Sequence, residues 1–348
     1  MKKTIRILSA LLAIAFVFAL AACSGTNEPG QGGAGRLTPV STADGTTAMT
    51  DDGGTESETA APPPAATDGW ASVTGSYAAG NLVYTRADGT ALTDFSFLES
   101  ASHEYMPDSG DPDTGSWYCG KTERDLETGE VTKVWDRSAE TLALLEKYGV
   151  IYRGDESRKV CYFTFDCDYN YNGNVGRILD VLREKGVTAL FVLNGQIIET
   201  EPELVKRMVD DGHIIGNHGK NHKNMARVDV DTFIAEIEDN NALLKKNVPG
   251  AKYMTYYRPP YGTVTEWDMA LAQQMGLKNA LYSWTYDDYH DDAQPDPAEA
   301  LNAILRGLHP GCVYMFHPKS TTDAAIMGDV IDGIRAAGYE IETVDKIG

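Results

Sequence analysis

Basic residues are scarce in this sequence. Its 348 residues include 30 Lys and Arg against 51 Asp and Glu, which gives a formal net charge of -21 at pH 7. Nucleic-acid binding needs clustered Lys and Arg that neutralise phosphates, so this charge balance argues against a nucleic-acid partner. The same acidity provides no electrostatic attraction to anionic lipids.

Long apolar runs are lacking beyond the first residues of the chain. The run ILSALLAIAFVFALAA (7–22) follows a basic start and leads into LAAC, which resembles the lipobox of bacterial lipoproteins. We therefore predict a lipoprotein signal peptide over residues 1–22 and a lipid on Cys23. An ordinary secretory signal or a retained spanning helix is the alternative. In all three cases the remaining chain lies outside the cytoplasm, and the lipid would anchor it to the cell membrane of a bacterium.

Residues 23–69 have almost no aliphatic or aromatic content and are rich in Gly, Thr, Ala, Pro and Ser. This composition predicts a disordered linker. Residues 70–147 contain short alternating runs separated by Gly and Asp-Gly turns, which predict small hairpins in an accessory N-terminal region. A helix follows, with Ser138 as its N-cap and Gly149 as its stop.

Residues 148–348 alternate apolar runs with helical patterns. The runs that predict strands are VCYFTF, VTALFVLN, HIIGN, YMTYY, NALYSW, CVYMFH and YEIETV. Such alternation is typical of α/β proteins with parallel strands and helical crossovers. It favours a distorted (β/α) barrel of about seven parallel strands, with an open doubly wound sheet as the alternative. In both architectures the carboxyl ends of the strands carry the chemistry.

Polar residues follow most of these strands. They are Asp166, Cys167 and Asp168 after the first strand, His218 and His222 after the third, Arg258 after the fourth, Asp287 and Asp288 after the fifth, and His317 after the sixth. The spacing of His218 and His222 places both imidazoles on one side of a helical turn, as a metal pair needs. His317 ends an apolar strand just before Pro318, a position better suited to proton transfer than to packing.

Each signal also has a structural interpretation. Without a functional role, RPPYG would be a proline-rich turn with a salt-bridged arginine, and the acidic residues near Asp288 would be a solvated loop. Taken in order, however, TFDCD, HGKNH, RPPYG, WTYDDY and FH resemble the five motifs of carbohydrate esterase family 4, the polysaccharide deacetylases with a nodulation-protein-B-like domain. The resemblance spans about residues 148–347. The phrases GHIIGNH, RPPYG and HPGCVYMFH are most similar to the branch that deacetylates N-acetylmuramic acid in peptidoglycan.

The resemblance implies a catalytic role for each matching residue. Asp166 would be the general base, and Arg258 would hold it. His317 would be the acid that protonates the leaving amine, and Asp288 would orient it. The backbone N–H of Tyr261 would help to stabilise the oxyanion.

The resemblance further implies one divalent metal, with zinc preferred and cobalt or manganese as alternatives. His218 and His222 match the two metal-binding histidines of the family. The family's third ligand, an aspartate, is replaced here by Cys167. The Cys167 thiolate could complete a His₂Cys set, or the metal could be held weakly by the histidines and water alone. We rank these two alternatives equally, ahead of Asp168 as the ligand.

A cysteine nucleophile is disfavoured, because Cys167 would need a base of its own. The chain has five cysteines in total. Strand alternation puts Cys161 and Cys312 on the faces opposite Asp166 and His317. A disulfide between them is conceivable but not expected, because bridges between adjacent parallel strands are uncommon.

The sequence therefore predicts a metal-dependent N-deacetylase that removes acetyl groups from N-acetylated amino sugars of cell-wall peptidoglycan. Its partners would be that glycan and, through the N-terminal lipid, the membrane. Two alternatives stay open: a glycan-binding pseudoenzyme whose metal site Cys167 has impaired, and a deacetylase of another N-acetylated polysaccharide.

Overall fold

The computed structural model describes residues 68–108, 116–117, 122–134 and 137–347. The predicted signal peptide, the lipid-bearing Cys23, the linker up to residue 67 and Cys119 lie outside these ranges. The described residues belong to one compact unit, Ala61–Gly348. None of the helices within these ranges is both long enough and apolar enough to cross a bilayer.

The accessory region forms two small antiparallel sheets. The first contains β1 (Ser72–Thr74), β2 (Val83–Thr85) and β3 (Ala91–Leu92), and the second contains β4 (Glu123–Arg124) and β5 (Val131–Lys133). A turn at Asp88 and Gly89 joins β2 to β3, and Gly89 has a φ of 88° that suits a residue without a Cβ. The N–H of Arg86 donates to the carbonyl of Thr90 at 2.8 Å across this turn. The predicted hairpins are confirmed.

Helix α1 (Ala139–Lys147) begins and ends where the sequence predicted. The Ser138 side chain accepts a hydrogen bond from the N–H of Thr141 at 3.2 Å, which satisfies one free donor of the first turn. Gly149 follows the helix with a φ of 57°, the left-handed conformation that commonly ends helices.

A seven-stranded parallel sheet carries the rest of the chain. Its strands are β6 (Val160–Cys167), β7 (Leu190–Leu193), β8 (Ile214–Asn217), β9 (Tyr256–Tyr257), β10 (Lys278–Asn279), β11 (Cys312–Phe316) and β12 (Glu340–Glu342). They pair in the order β10-β9-β8-β7-β6-β11, and β12 pairs with the first residues of β6. Six of the predicted strands are present, the fifth is reduced to Lys278–Asn279, which shares only Asn279 with the predicted NALYSW, and every pairing is parallel.

The segment after β10 links the two ends of this sheet. The N–H of Ser283 donates to the carbonyl of Val313 at 2.9 Å, and the N–H of Met315 donates to the carbonyl of Trp284 at 2.9 Å. The chain thus pairs with β9 at Lys278 and with β11 a few residues later. These bonds curl the sheet into the distorted barrel that the sequence predicted.

Strand β6 pairs with three strands, β7, β11 and β12, and is buried along its whole length. Its residue Phe165 is the register partner of Phe316 on β11 and of Phe191 on β7. Burial on both faces is typical of parallel strands that helices cover, and it explains the nearly continuous apolar run of this segment.

Helices connect the strands and cover the sheet. They are α2 (Asn174–Lys185), α3 (Gly195–Thr200), α4 (Pro202–Asp210), α5 (Val230–Asn247), α6 (Glu266–Gln274), α7 (Pro297–Gly307) and α8 (Thr321–Ala336). Several begin at side chains that cap the first turn, among them Asn194, Asp229, Thr265, Asp296 and Ser320. These caps fix where each connection leaves its strand.

The two faces of β6 enter two different apolar clusters. Cys161, Phe163, Phe165 and Cys167 pack with α2 and α8 residues in one cluster. Val160 and Tyr162 belong to the other, which also contains residues of the accessory region such as Tyr84. Alternation along the strand therefore places the even-numbered side chains, including Asp166, on the face away from α2 and α8.

Candidate active site

The predicted polar residues meet at the carboxyl edge of the sheet, with one exception. Asp166 contacts Arg258 and approaches His218, and Asp168 approaches His222. His317 bonds to Asp288 beside this group. The exception is Cys167, whose side chain lies in the apolar cluster on the other face of β6.

Arg258 is fully buried and holds Asp166 in place. Its Nη1 donates to Oδ1 of Asp166 at 2.5 Å, while Nη2 donates to the hydroxyl of Thr164 at 2.9 Å. Two backbone carbonyls take the remaining bonds: Nε donates to Ala280 at 2.8 Å and Nη2 to Leu281 at 3.1 Å. A buried charge is tolerated only when it is paired and hydrogen-bonded, and all three guanidinium nitrogens meet that requirement here.

The charge on Arg258 also decides the ionisation of Asp166. Burial by itself would favour the neutral carboxyl, but the guanidinium and the imidazoles of His218 and His317 outweigh it and lower the pKa of Asp166. Asp166 is therefore an ionised carboxylate at neutral pH, with Oδ2 lying 3.9 Å from Nε2 of His218. This oxygen is free of Arg258 and can accept a proton.

Asp168, His218 and His222 form a group whose ligand atoms all lie within 4.8 Å of one another. Nε2 of His222 lies 3.8 Å from Oδ1 of Asp168. Nδ1 of His218 bonds to the backbone carbonyl of Arg258 at 2.8 Å, which leaves Nε2 as the nitrogen that faces the group. Burial, followed by the neighbouring His218, lowers the pKa of His222, so its imidazole is neutral and keeps a lone pair.

These side chains fit a divalent metal. Two imidazole nitrogens and a carboxylate oxygen are a ligand set of catalytic zinc sites, which keep a further position open. In such sites the second ring nitrogen of a metal-binding histidine usually bonds to a carbonyl or carboxylate, which fixes the tautomer. The backbone carbonyl of Arg258 provides this bond for His218. The predicted His₂ pair is therefore joined by Asp168 in this arrangement.

The preference for Cys167 over Asp168 as the third ligand is wrong for this geometry. Residues i and i+2 of a strand face the same side, so Asp168 follows Asp166 whereas Cys167 points away. Cys167 has no exposed surface. Burial, followed by the charges of Asp168 and Asp166, raises the pKa of its thiol well above the usual value, so no thiolate is available. Cys161 and Cys312 are register partners on neighbouring strands, and no disulfide joins them.

The helical turn predicted for the two histidines is also wrong. Residues 218–222 form a loop in which Gly219 and His222 have left-handed φ values of 70° and 52°. Glu236 of α5 fixes this loop: its carboxylate accepts the N–H and the Nδ2 of Asn221, each at 2.7 Å. Its carbonyl accepts the N–H of Lys220 at 3.0 Å.

The imidazole of His317 is bound by Asp288, which is fully buried. Nδ1 of His317 lies 2.7 Å from Oδ1 of Asp288, and the N–H of His317 donates to Oδ2 at 2.7 Å. Burial alone would lower the pKa of His317, but the Asp288 carboxylate outweighs burial and raises it. The imidazolium is thereby stabilised, and Nε2 is left to face a substrate.

A second carboxyl group lies behind this pair. Asp323, in the first turn of α8, is fully buried, and the hydroxyl of Tyr286 donates to its Oδ1. Burial and then the charge of Asp288 raise the pKa of Asp323 well above its usual value. Two buried carboxyls in contact cannot both be ionised, so Asp323 is the protonated partner.

Two exposed tyrosines stand on either side of the histidines. Tyr261 is 59% exposed and its ring lies 4.6 Å from that of His222. Tyr289 is 48% exposed and its ring lies 5.7 Å from that of His317. The site therefore opens to solvent between two aromatic faces.

Sequence reasoning missed several residues of this site. Thr164 shares the face of Asp166 by strand alternation, and Asn194, whose Nδ2 donates to Asp168 at 3.0 Å, directly follows β7. Both positions could have been found from the strand pattern. Glu236 and Asp323 are single acids on helices, and the sequence contains no signal that separates them from solvated surface acids.

The fold and the site define a class of hydrolase: a parallel α/β barrel with an arginine-bound carboxylate, a carboxylate-bound imidazole and a His₂-carboxylate donor set at its strand ends. The chain belongs to the polysaccharide deacetylase family, the family 4 carbohydrate esterases. The family model for polysaccharide deacetylases matches residues 153–280.

Individual relatives agree with this assignment. The chain is 31% identical over 212 residues to a peptidoglycan-N-acetylmuramic acid deacetylase, PdaA, of Bacillus subtilis, covering 61% of this chain and 80% of the relative. The solved structure of Bacillus subtilis PdaA superposes with a TM-score of 0.62 at 28% identity, covering 67% of this chain and 95% of that one. A family 4 carbohydrate esterase from Bacillus anthracis gives a TM-score of 0.52 at 33% identity, with 62% and 95% covered.

Proposed function

We propose that this protein is a metal-dependent N-deacetylase that hydrolyses the acetamide of N-acetylated amino sugars in peptidoglycan. One arrangement carries the proposal: an ionised Asp166 and a charged His317 both lie beside the donor group of Asp168, His218 and His222. Amide hydrolysis needs both a base and an acid, and this edge of the sheet provides one of each.

Asp166 acts as the base. Its Oδ2 accepts a proton from the attacking water as the water oxygen bonds to the acetyl carbon. Arg258 holds the other oxygen at 2.5 Å, so the carboxylate cannot turn away from the substrate. The product of this step is a tetrahedral intermediate with a negative charge on the former carbonyl oxygen.

His317 acts as the acid. Its Nε2 donates a proton to the amide nitrogen as the carbon–nitrogen bond breaks, which releases acetate and a free amino sugar. An amine leaves poorly unless it is protonated, and a histidine whose pKa is raised by Asp288 remains charged at neutral pH. Before the next turnover the proton that Asp166 has taken up is lost to solvent, and His317 takes up a proton from solvent.

Zinc is the proposed metal, with cobalt or manganese as alternatives. Held by Asp168, His218 and His222, it would supply Lewis-acid stabilisation of the charge that develops on the acetyl oxygen. The pseudoenzyme alternative depended on Cys167 as a defective ligand. Asp168 lies with the two histidines, its Oδ1 3.8 Å from Nε2 of His222, and offers a carboxylate ligand in place of Cys167, so that reason no longer applies.

A glycan substrate suits the opening of the site. Tyr261 and Tyr289 are exposed flat faces on either side of the histidines, and sugar rings have apolar faces of matching size. Peptidoglycan is favoured over other N-acetylated polysaccharides because two named relatives act on it. Mass spectrometry of products from muropeptides and from chitin oligomers, compared at equal concentration, would separate these substrate classes.

We also propose that the protein acts outside the cytoplasm, held to the membrane by a lipid on Cys23 and by the linker 23–69. The support is the LAAC sequence after the apolar run. Expression with labelled palmitate should label the wild-type chain and leave Cys23→Ser unlabelled. A wild-type chain that is released without label would contradict the proposal.

The activity test compares three proteins on muropeptides, with acetate and free amine measured together. Wild type loaded with zinc should release both products in equal amounts. His317→Ala should retain the metal and lose turnover by at least about a hundredfold. His290→Ala, a change at a half-exposed histidine near the site, serves as the matched control and should remain active. A zinc-loaded wild type without turnover on any N-acetylated glycan would overturn the proposed function.

A further inference from the structure

The RPPYG loop has an unusual backbone at the residue whose N–H is the proposed oxyanion donor. Tyr261 has a φ of 61° and Gly262 has a φ of 64°, so two consecutive residues are left-handed. Glycine accepts this conformation readily, but for tyrosine it costs on the order of 1 kcal/mol or more. Such a conformation persists only where the surrounding structure determines it.

Trp117 of the accessory region provides that surrounding structure. Its backbone N–H donates to the carbonyl of Gly262 at 2.7 Å, and its neighbour Ser116 forms an antiparallel bridge with Thr263. A Cβ on Gly262 would lie only 3.4 Å from the nitrogen of Trp117 and 3.2 Å from the hydroxyl of Tyr282. The accessory chain is thus packed directly against the left-handed pair.

The Trp117 side chain extends this contact towards the base. Its Nε1–H donates to the carbonyl of Tyr282 at 2.8 Å, and the Tyr282 hydroxyl donates back to the carbonyl of Trp117 at 3.3 Å. The carbonyls of the two preceding residues, Ala280 and Leu281, accept from Arg258, which holds Asp166. Trp117 therefore binds both the RPPYG loop and the segment on which the arginine is anchored.

The indole is itself firmly held. Trp117 is 3% exposed, and the guanidinium carbon of Arg137 lies 3.7 Å from the centre of its ring. A second contact lies farther along the same loop, where the N–H of Met106 donates to the carbonyl of Val264 at 3.1 Å and Tyr105 bridges Thr265. The accessory region thus pairs with residues 262–265 at two separate points.

We propose that Trp117 is a positioning residue for catalysis and that this is a main task of the accessory region. It fixes the left-handed turn at Tyr261 and Gly262, and with it the direction of the Tyr261 N–H relative to Asp166. The expected effect of Trp117 on kcat rests on the proposed deacetylase function. Its expected effect on the conformation of the RPPYG loop does not, because the contacts of Trp117 with Gly262 and Tyr282 are independent of the substrate.

The test uses the full chain with zinc and two substitutions. Trp117→Phe keeps an aromatic ring but removes the indole N–H and part of the buried ring volume, and Trp117→Ala removes the whole ring system. We expect kcat to fall about tenfold in Trp117→Phe, the value of one lost hydrogen bond, and about a hundredfold in Trp117→Ala. KM and bound zinc should change little. Amide hydrogen exchange over 260–265 should become faster in both variants.

Trp70→Ala is the matched control. Trp70 is a tryptophan of the same region, but it packs on Tyr253 and Lys245. It should retain kcat and the slow exchange of 260–265. If Trp117→Ala does not fold, Trp117→Phe decides alone. Unchanged kcat together with unchanged loop exchange in Trp117→Phe would overturn the inference. A wild type without turnover would instead overturn the proposed function, and the exchange experiment would still decide the role of Trp117.

Discussion

The Asp288 carboxylate binds His317 at two points, since Oδ1 lies 2.7 Å from Nδ1 and Oδ2 accepts the backbone N–H at 2.7 Å. One oxygen sets the charge and tautomer of the imidazole, and the other sets the position of the residue that carries it. Because Asp288 is fully buried, water cannot replace either bond. Both the charge and the position of His317, the proposed acid, therefore depend on the Asp288 carboxylate.

The first prediction concerns pH. Asp288 raises the pKa of His317, and an acid is active only in its protonated form, so turnover should fall as the pH rises through that raised pKa. In Asp288→Asn the imidazolium loses its counter-charge, its pKa falls, and the alkaline limb of kcat should move to lower pH. We also expect kcat to drop by about a hundredfold. Asp287→Asn, whose side chain is 71% exposed, is the control and should keep the wild-type profile. An unshifted limb in Asp288→Asn would remove His317 from the role of acid.

Asp323 should behave as a neutral hydrogen-bond donor. Asp323→Asn retains an N–H that can reach Asp288, so its pH profile should match that of wild type. Asp323→Ala leaves the buried hydroxyl of Tyr286 without its acceptor, and it should lower the free energy of unfolding by about 1–3 kcal/mol. Chemical denaturation measures the second effect. A shifted profile in Asp323→Asn would mean that Asp323 carries a charge in the active protein.

Metal retention should depend on Asp168 and not on Cys167. Asp168→Asn removes the carboxylate from the donor group, and bound zinc after dialysis should fall by about tenfold or more. Cys167→Ser should keep its zinc, but it puts a hydroxyl into an apolar cluster and should cost about 1–3 kcal/mol of stability. Elemental analysis of both proteins checks this. Loss of zinc in Cys167→Ser with zinc retained in Asp168→Asn would restore the thiolate as the ligand.

Glu236 should influence the metal without touching it. Its carboxylate accepts two hydrogen bonds from Asn221, and Lys223 lies 3.2 Å from it. In Glu236→Gln one acceptor oxygen becomes an NH₂ that faces a donor, so the loop between His218 and His222 should loosen. We expect zinc affinity to fall about 10–100-fold, which a competition titration with a chelator can measure. Asp239→Asn is the control on the same helix: it loses only a solvent-exposed ion pair with Lys220 of this loop, at 3.1 Å, and should change zinc affinity little.

Much of the fold could be predicted from periodicity alone. The seven strands, the helices between them and the cap at Ser138 follow from local patterns of apolar and capping residues. The fifth strand was predicted as NALYSW, yet only Lys278–Asn279 pairs as a strand. Ser283 and Trp284, a few residues later, pair with β11 and not with β9, and this pairing closes the barrel. The choice between the two partners depends on tertiary structure, so the local sequence pattern cannot predict it.

The site was predictable where a residue ends a strand, and less so elsewhere. Asp166, Arg258 and His317 are examples of the first kind. The assignment of Cys167 as a ligand was wrong, although strand alternation predicts its true position. The alternation that places Cys161 on the face opposite Asp166 places Cys167 on that same opposite face. Trp117 and Asp323 depend on contacts between residues far apart in the chain, with separations of 165 and 37 residues to Tyr282 and Tyr286, and only tertiary structure reveals them.

The base and the acid directly follow two side chains that face each other in the sheet, Phe165 and Phe316. Neighbouring strands keep a spacing of about 4.8 Å that the peptide backbone itself imposes. The spacing of the two strands that lead to Asp166 and His317 is thus set by the backbone ladder, while Arg258 and Asp288 fix the two side chains from the adjoining segments. Loops that carry none of these contacts, nor the RPPYG turn, can therefore change which sugar is bound without displacing the proposed base and acid.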